Sequence, residues 1–197
     1  DSSTSRGLGD VYKRQGVIGI EFASFFNSLG VQVTVIEMLD EILGGMDKEL
    51  SALLRAEYAK RGIKFMLSTK VVSLAEASSE DGKPQVQVNF ENAEGTGSVL
   101  AEKLLMSVGR RPVTKGFGLE NLELKRTERG NICTNEQMQA SAPGVYICGD
   151  LTGYSLLAHT AVREAEVAVH TILGKKDVMS YWAIPGVVYT NPEIAGV

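Results

Sequence analysis

Two acidic residues that directly follow short apolar segments are the side chains of this sequence best suited to bind a cofactor. Glu37 follows the β-branched segment 31–36, and Asp150 follows Gly149 at the end of the apolar segment 145–148. A carboxylate at the C-terminal end of a strand can accept hydrogen bonds from sugar hydroxyls, while N–H groups at a nearby helix start face electron-rich atoms. The two acids therefore predict two sites for cofactors with sugar-like groups.

Glycines precede the first of these acids. The segment Gly16-Val17-Ile18-Gly19 matches the second half of a G-x-G-x-x-G dinucleotide motif. The first glycine of such a motif would stand at position 14, where the chain has Arg14, and no strand-like segment precedes it. We therefore predict that residues 1–15 are a non-native leader, with a divergent N-terminus as the alternative.

The position of Glu37 indicates which nucleotide would bind. It lies eighteen residues after Gly19, close to where a dinucleotide fold has the acid that binds the adenosine ribose. Its carboxylate would repel a 2′-phosphate, and Asp40 and Glu41 would add to that repulsion. The sequence therefore favours NAD(H) over NADP(H).

The elements around these residues predict an α/β fold. Apolar residues recur at helical spacing from Ile18 to Leu29, and Asp47 can cap a second helix that runs to Arg61. The predicted strands form a βαβ unit that carries an antiparallel meander, and two further strands follow. In chain order, the seven predicted strands are 31–36, 63–66, 70–76, 85–91, 98–108, 130–134 and 144–148.

The segment Val145-Tyr146-Ile147-Cys148-Gly149-Asp150, followed by Leu157-Ala158-His159, resembles the second FAD-binding segment of the flavoprotein disulfide reductases. Within that family, Leu-Ala-His is most similar to the dihydrolipoamide dehydrogenases. The resemblance implies that Asp150, after Gly149, binds the ribityl chain of FAD. It also implies that Leu157, Ala158 and His159 direct helix-start N–H groups at the isoalloxazine.

The same resemblance extends to the nicotinamide side. The segment Val108-Gly109-Arg110-Arg111-Pro112 is similar to the family's exit from its NAD domain, where Gly109 would let the backbone approach the nicotinamide. Glu21 is similar to the acid that pairs with a lysine beside the flavin, and that lysine is not in this sequence. We also expect Glu21 in the first turn of its helix, where the helix dipole alone would tolerate it.

The resemblance implies a domain order and an activity. Residues 16–110 would be a Rossmann-like NAD domain, 111–180 the second segment of an FAD-binding α/β domain, and 181–197 the start of an interface domain. Electrons would pass from dihydrolipoamide through a redox disulfide and FAD to NAD+, in a homodimer. The substrate would be carried on a lipoyl domain of a 2-oxo acid dehydrogenase or glycine cleavage complex. The disulfide is not in this chain, so the chain alone is expected to be inactive.

Two alternatives stay open on sequence. Another NAD(P)H-dependent flavoprotein disulfide reductase or an NADH oxidase would share both nucleotide sites and differ in the thiol region. A non-enzymatic nucleotide-binding module would bind NADH without tightly held FAD. Fold-level likeness does not separate these classes, because one fold hosts many functions.

Composition excludes several other classes. The 197 residues have a net charge of −4 and contain no basic run, so no nucleic-acid or membrane partner is expected. Cys133 and Cys148 form no metal-ligand or redox pattern, and we predict no metal site. The helical spacing of His159 and His170 is too long for a shared ion, and both are expected to be structural. A cytoplasmic location is the default expectation.

Overall fold

A computed structural model describes residues 16–197 of the protein. These residues divide into two compact units. The first unit consists of residues 16–109 together with Val187–Gly196, and the second of Arg110–Gly186 with Val197. The mixed α/β fold class predicted from the sequence is confirmed.

The first unit opens with two helices and two short strands. They are α1 (Val17–Ser28), β1 (Thr34–Ile36), α2 (Lys48–Lys60) and β2 (Lys64–Met66). The strands pair in parallel, with Val35 opposite Phe65, which requires a crossover connection, here α2. β1 is shorter than the predicted strand 31–36, because its pairing with β2 starts at Thr34.

Local signals in the sequence define both ends of α2. The Asp47 carboxylate accepts hydrogen bonds from the backbone N–H groups of Glu49 and Leu50, at 2.8 and 3.2 Å. Gly62 follows the helix with φ +91°, a left-handed conformation that glycine adopts without a Cβ penalty. The predicted cap of this helix is therefore confirmed.

Replacing Asp47 with alanine is expected to lower the free energy of unfolding by about 1 kcal/mol, because two N–H groups of α2 lose their acceptor. Urea unfolding of the variant and the parent protein measures the difference. Glu80→Ala, in the exposed turn 79–83, is the control and should change stability by less than about 0.5 kcal/mol. Equal stability of Asp47→Ala and the parent would contradict the capping role.

A three-stranded antiparallel meander completes most of the first unit. Its strands, in order across the sheet, are β3 (Lys70–Ser78), β4 (Pro84–Asn92) and β5 (Gly95–Ala101). The prediction of a strand over 98–108 is wrong beyond Ala101. The last pair of the β4–β5 ladder is Val86 with Ala101, and β4 begins two residues earlier, at Pro84, so residues 104–108 extend past the end of β4.

The last short strands pack in the first unit. β6 (Gly186–Val188) pairs with β7 (Ile194–Gly196), and Val188 and Ile194 belong to the unit's buried core. The Tyr58 hydroxyl donates to Ser24 Oγ at 2.5 Å and accepts from the Asn191 backbone N–H at 2.9 Å.

The prediction that residues 181–197 begin an interface domain stays a prediction. The other buried core residues are Ile20, Ala23, Ile42, Leu43, Leu54, Tyr58 and Ile63.

The second unit is built around one long helix, α3 (Ala158–Ile172), and two 3₁₀ turns, Leu119–Asn121 and Gly149–Leu151. The predicted strands 130–134 and 144–148 are wrong: both segments make only isolated bridges. Their backbone groups bond to turns instead of a neighbouring strand. Ile132 N–H donates to Leu151 O at 2.9 Å, and Ile147 N–H donates to Met138 O at 3.0 Å.

The buried face of α3 forms the core of the second unit. Val167 and Ala168 pack with Met138 and Met179. None of the helices within residues 16–197 combines the length and apolarity that crossing a bilayer would require.

Candidate functional site

In the first unit, Glu37 lies beside the start of α1. Gly16 is the N-cap of α1, and a Cβ built on Gly16 would lie 3.9 Å from Glu37 Oε2. The glycine therefore leaves open the space between the helix start and the carboxylate. This is the combination of N–H groups and acid that the sequence predicted for a nucleotide site.

Backbone hydrogen bonds on both sides hold Glu37 in place. Its N–H donates to Met66 O and its carbonyl accepts from Thr69 N–H, both at 2.9 Å, which continues the β1–β2 pairing past Ile36. Its carboxylate Oε1 accepts from Leu39 N–H at 3.0 Å, and Oε2 is left toward Gly16. The acid is thus oriented before any ligand arrives.

Gly19 packs closely against Ser107. A Cβ on Gly19 would come within 3.2 Å of Ser107 Cβ, tighter than ordinary van der Waals contact. Val17 packs against the core of the unit, whereas Ile18 is exposed. Gly109 has φ +109°, a conformation open to glycine. Binding of NAD by these residues stays a prediction.

The two acids expected to strengthen the repulsion of a 2′-phosphate have partners. Lys48 Nζ lies 3.0 Å from Asp40, and Arg55 donates to both carboxylate oxygens of Glu41, at 2.8 and 2.9 Å. These cations hold the pKa of each carboxyl below its usual value, so both stay charged but are neutralised locally. The predicted repulsion of a 2′-phosphate would therefore come mainly from Glu37.

The expectation that Glu21 lies in the first turn of its helix is wrong. α1 begins at Val17, so Glu21 is in the second turn, beyond the orphan N–H groups of the helix start. Its Oε1 accepts from the Tyr189 backbone N–H at 2.9 Å, within the same unit. Pairing of Glu21 with a lysine beside a flavin stays a prediction.

In the second unit, Asp150 sits on a tight turn packed against α3. Gly149 opens the turn with φ +75°, and a Cβ on Gly149 would lie 3.5 Å from the Ala161 Cβ. Thr152 closes the turn through its N–H and its hydroxyl, which donate to Gly149 O at 3.0 and 2.9 Å. The glycine allows the left-handed backbone of the turn, and a Cβ there would make ordinary van der Waals contact with the helix.

The Asp150 carboxylate has a partner that the sequence reasoning did not identify. Arg110 Nη2 lies 2.9 Å from Asp150 Oδ2, and the two side chains are 56% and 45% exposed. An ion pair this exposed contributes little to stability. The carboxylate therefore remains open to solvent and to hydroxyl donors of a ligand. Arg110 belongs to the segment that resembles a domain exit, but nothing in its local pattern indicated this contact.

The start of α3 has N–H groups without a side-chain cap. Leu157 is the N-cap, with an extended backbone, and no side chain in the described part of the chain caps the helix. Ala158 and His159 form its first turn and are exposed, and His159 Nε2 lies 3.0 Å from Pro185 O. A solvent-accessible carboxylate can accept hydrogen bonds from hydroxyl groups of FAD, and uncapped helix N–H groups can donate to its electron-rich atoms. Contact of these residues with FAD stays a prediction.

The structural role expected for the two histidines stays a prediction. His170 Nδ1 lies 2.7 Å from Asp177, which also pairs with Arg163, so both histidines have a partner. Cys133 and Cys148 are free thiols, and burial raises the pKa of Cys148, which lowers its reactivity. Residues 16–197 contain no cluster of three or more side chains that could hold a metal ion.

Comparison with protein families finds a match over most of the chain. Residues 15–165 match the family described as pyridine nucleotide-disulphide oxidoreductase. The cofactors of that family are FAD and NAD, as the sequence predicted.

Individual relatives are similar over nearly the whole chain. The dihydrolipoyl dehydrogenase of Thermus scotoductus is 42% identical and dihydrolipoyl dehydrogenase 3 of Pseudomonas aeruginosa 41% identical, each over 92% of this chain. The structure of LpdA from Mycobacterium tuberculosis superposes with a TM-score of 0.81 over 91% of this chain, at 28% identity. The chain spans only 38 to 39% of the length of these relatives.

Proposed function

Because this chain belongs to the pyridine nucleotide-disulphide oxidoreductase family, we propose that it is a segment of an FAD-dependent dihydrolipoamide:NAD+ oxidoreductase. The segment contributes a nucleotide half-site from its first unit and a flavin half-site from its second. The identity of 41 to 42% to two dihydrolipoyl dehydrogenases supports the choice of substrate within the family.

One observation carries the proposal: each unit presents an acid beside the start of a helix. Glu37 lies next to the Gly16 end of α1, and Asp150 lies on a turn packed against the first turns of α3. Each pair combines an acceptor for sugar hydroxyls with N–H donors. Two such pairs in one chain are what an enzyme using two nucleotide cofactors requires.

In the first half-site, Glu37 would accept hydrogen bonds from the adenosine ribose of NAD. Gly16 and Gly19, with Val17 and Ile18 between them, would let the pyrophosphate approach the N–H groups of α1. Gly109 would leave room for the nicotinamide end.

In the second half-site, Asp150 would accept hydrogen bonds from the ribityl hydroxyls of FAD. These bonds would partly replace its ion pair with Arg110. The uncapped N–H groups at Leu157, Ala158 and His159 would face the isoalloxazine and favour negative charge there. When bound, FAD supplies the electron-transfer chemistry, and the protein supplies binding and orientation.

The proposal extends to the partners of the whole protein. Its substrate would be dihydrolipoamide on a lipoyl domain of a 2-oxo acid dehydrogenase or glycine cleavage complex. The functional form would be a homodimer in the cytoplasm. The domain assignments 16–110, 111–180 and 181–197, and the non-native origin of residues 1–15, which lie outside the described residues, are part of the same proposal.

The test is an assay of NAD+ reduction with dihydrolipoamide in the full-length protein that contains this segment. We expect purified protein with bound flavin to reduce NAD+ when dihydrolipoamide is added, and to be inactive after removal of FAD. The 197-residue chain alone should give no turnover, because it lacks the close-spaced cysteine pair that the reaction needs.

Two other outcomes would contradict the proposal. NADH oxidation by oxygen without any dihydrolipoamide activity would identify an oxidase-type flavoprotein. Saturable NADH binding by a full-length protein that takes up no FAD would identify a non-enzymatic nucleotide-binding module.

A further inference from the structure

α3 carries a carboxylate on its buried face. Glu164 is 0% exposed and lies on the same side of the helix as Thr160, Val167 and Ala168. A buried acid costs free energy unless hydrogen bonds compensate for the lost water. A carboxylate on this buried face therefore needs hydrogen-bond donors placed around it.

Two donors and one shared hydroxyl converge on this carboxylate, because the single hydrogen of the Thr152 hydroxyl also faces Gly149 O at 2.9 Å. The Gly149 backbone N–H donates to Oε2 at 2.5 Å, the Tyr181 hydroxyl donates to Oε1 at 2.7 Å, and the Thr152 hydroxyl lies 3.2 Å from Oε1. Burial raises the pKa of Glu164, and these hydrogen bonds oppose the rise. The acid thus joins α3 to the Gly149–Leu151 turn and to the segment at Tyr181.

Glu164 contacts the turn on both sides of Asp150 along the chain. Gly149 begins the turn and Thr152 follows it, and Glu164 binds a group of each. The Asp150 side chain itself is exposed and contacts only an exposed arginine among the ion pairs of the described residues. The orientation of Asp150 therefore depends on the backbone of the turn, and Glu164 fixes that backbone at both ends.

We propose that Glu164 is a positioning residue of the flavin half-site, which holds the Gly149–Thr152 turn so that the Asp150 carboxylate faces the ribityl hydroxyls of FAD. This inference rests on the proposed function. Glu164 does not contact FAD; it acts through Gly149 and Thr152.

The experiment compares two substitutions on one helix in the full-length protein. Glu164→Leu removes the buried acceptor, and Glu166→Leu makes the same change at an exposed position of α3. Apoprotein is titrated with FAD, the visible circular dichroism of the bound flavin is recorded, and NADH binding reports on the first unit. We expect Glu164→Leu to raise the Kd for FAD at least about tenfold and to change the flavin spectrum. Glu166→Leu should leave all three measurements unchanged.

A conservative variant separates positioning from simple packing. Glu164→Gln keeps the shape and one oxygen acceptor for the Gly149 N–H, so we expect the Kd for FAD to rise by less than about threefold. Thr152→Val removes the hydroxyl that contacts both Glu164 and Gly149 O, at nearly constant volume, and is expected to raise the Kd about three- to tenfold. Thr152→Val provides the test if Glu164→Leu fails to fold.

Unchanged FAD affinity and flavin spectrum in Glu164→Leu, or in Thr152→Val where the leucine variant does not fold, would overturn the inference. Equal weakening by Glu164→Leu and Glu166→Leu would also overturn it. If the unsubstituted full-length protein binds no FAD, the proposed function fails and the inference with it. If that protein binds FAD normally and Glu164 proves irrelevant, only the inference fails.

Discussion

Alanine at position 150 is expected to weaken FAD binding to the full-length protein by about 10- to 100-fold, the effect of losing a hydrogen bond to a charged acceptor. Asp150 lies on a half-buried turn, but its side chain is 45% exposed and its carboxylate is not part of the core. The substitution should therefore leave the fold intact while removing the ribityl acceptor. Titration of apoprotein with FAD, followed by flavin fluorescence, measures the change.

The control for this prediction is Glu128→Ala, which removes an exposed carboxylate from the same unit. It should leave the Kd for FAD unchanged. An Asp150→Ala protein that binds FAD as tightly as the parent would show that this carboxylate is not a flavin ligand. Far-UV circular dichroism of both variants excludes unfolding as the cause of a weaker affinity.

Arginine at position 37 is expected to weaken NADH binding and to narrow the preference for NADH over NADPH. The substitution removes the acceptor for the ribose hydroxyls and introduces a cation that can pair with a 2′-phosphate. Asp40 and Glu41 are already paired with Lys48 and Arg55, so they do not neutralise the new arginine. We expect the ratio of the Kd for NADPH to that for NADH to fall by about 100-fold, the combined effect of one lost and one gained charged contact.

Equilibrium titration of both nucleotides into the full-length protein measures this ratio. Glu80→Arg makes the same charge change in an exposed turn of the same unit and should leave the ratio unaltered. A ratio that stays constant in Glu37→Arg would reject the ribose assignment. A ratio that changes equally in both variants would point to net charge as the cause.

Elements with local signals were predictable from the sequence. The cap at Asp47 and the stop at Gly62 define α2 within one residue, because both depend on side chains adjacent to the helix ends. The acids at 37 and 150 were identified for a similar reason: each follows directly on an apolar segment.

Elements that depend on distant partners were not predictable. The segments 130–134 and 144–148 have the apolar, β-branched composition of strands, yet their backbone groups bond to Leu151 and Met138. The ladder with β4 ends at Ala101, and residues 104–108 extend past the start of β4 at Pro84. Strand assignment from composition fails here because pairing is a tertiary property.

Two site residues escaped the sequence reasoning. Arg110 reaches Asp150 across forty positions of the chain, and no local pattern signals that contact. Glu164 did carry a signal, because it occupies the helical spacing of Thr160, Val167 and Ala168, where a carboxylate on a buried face is unusual. A search for charges on the apolar side of a predicted helix would have found it.

The central claim is that Glu37 and Asp150 hold the sugar parts of two different cofactors. A structure of the full-length protein crystallised with FAD and NAD tests it directly. We predict a ribityl hydroxyl within hydrogen-bond distance of the Asp150 carboxylate and the adenosine ribose of NAD within the same distance of Glu37. Both cofactors bound with these two carboxylates out of reach of any sugar hydroxyl would contradict the account.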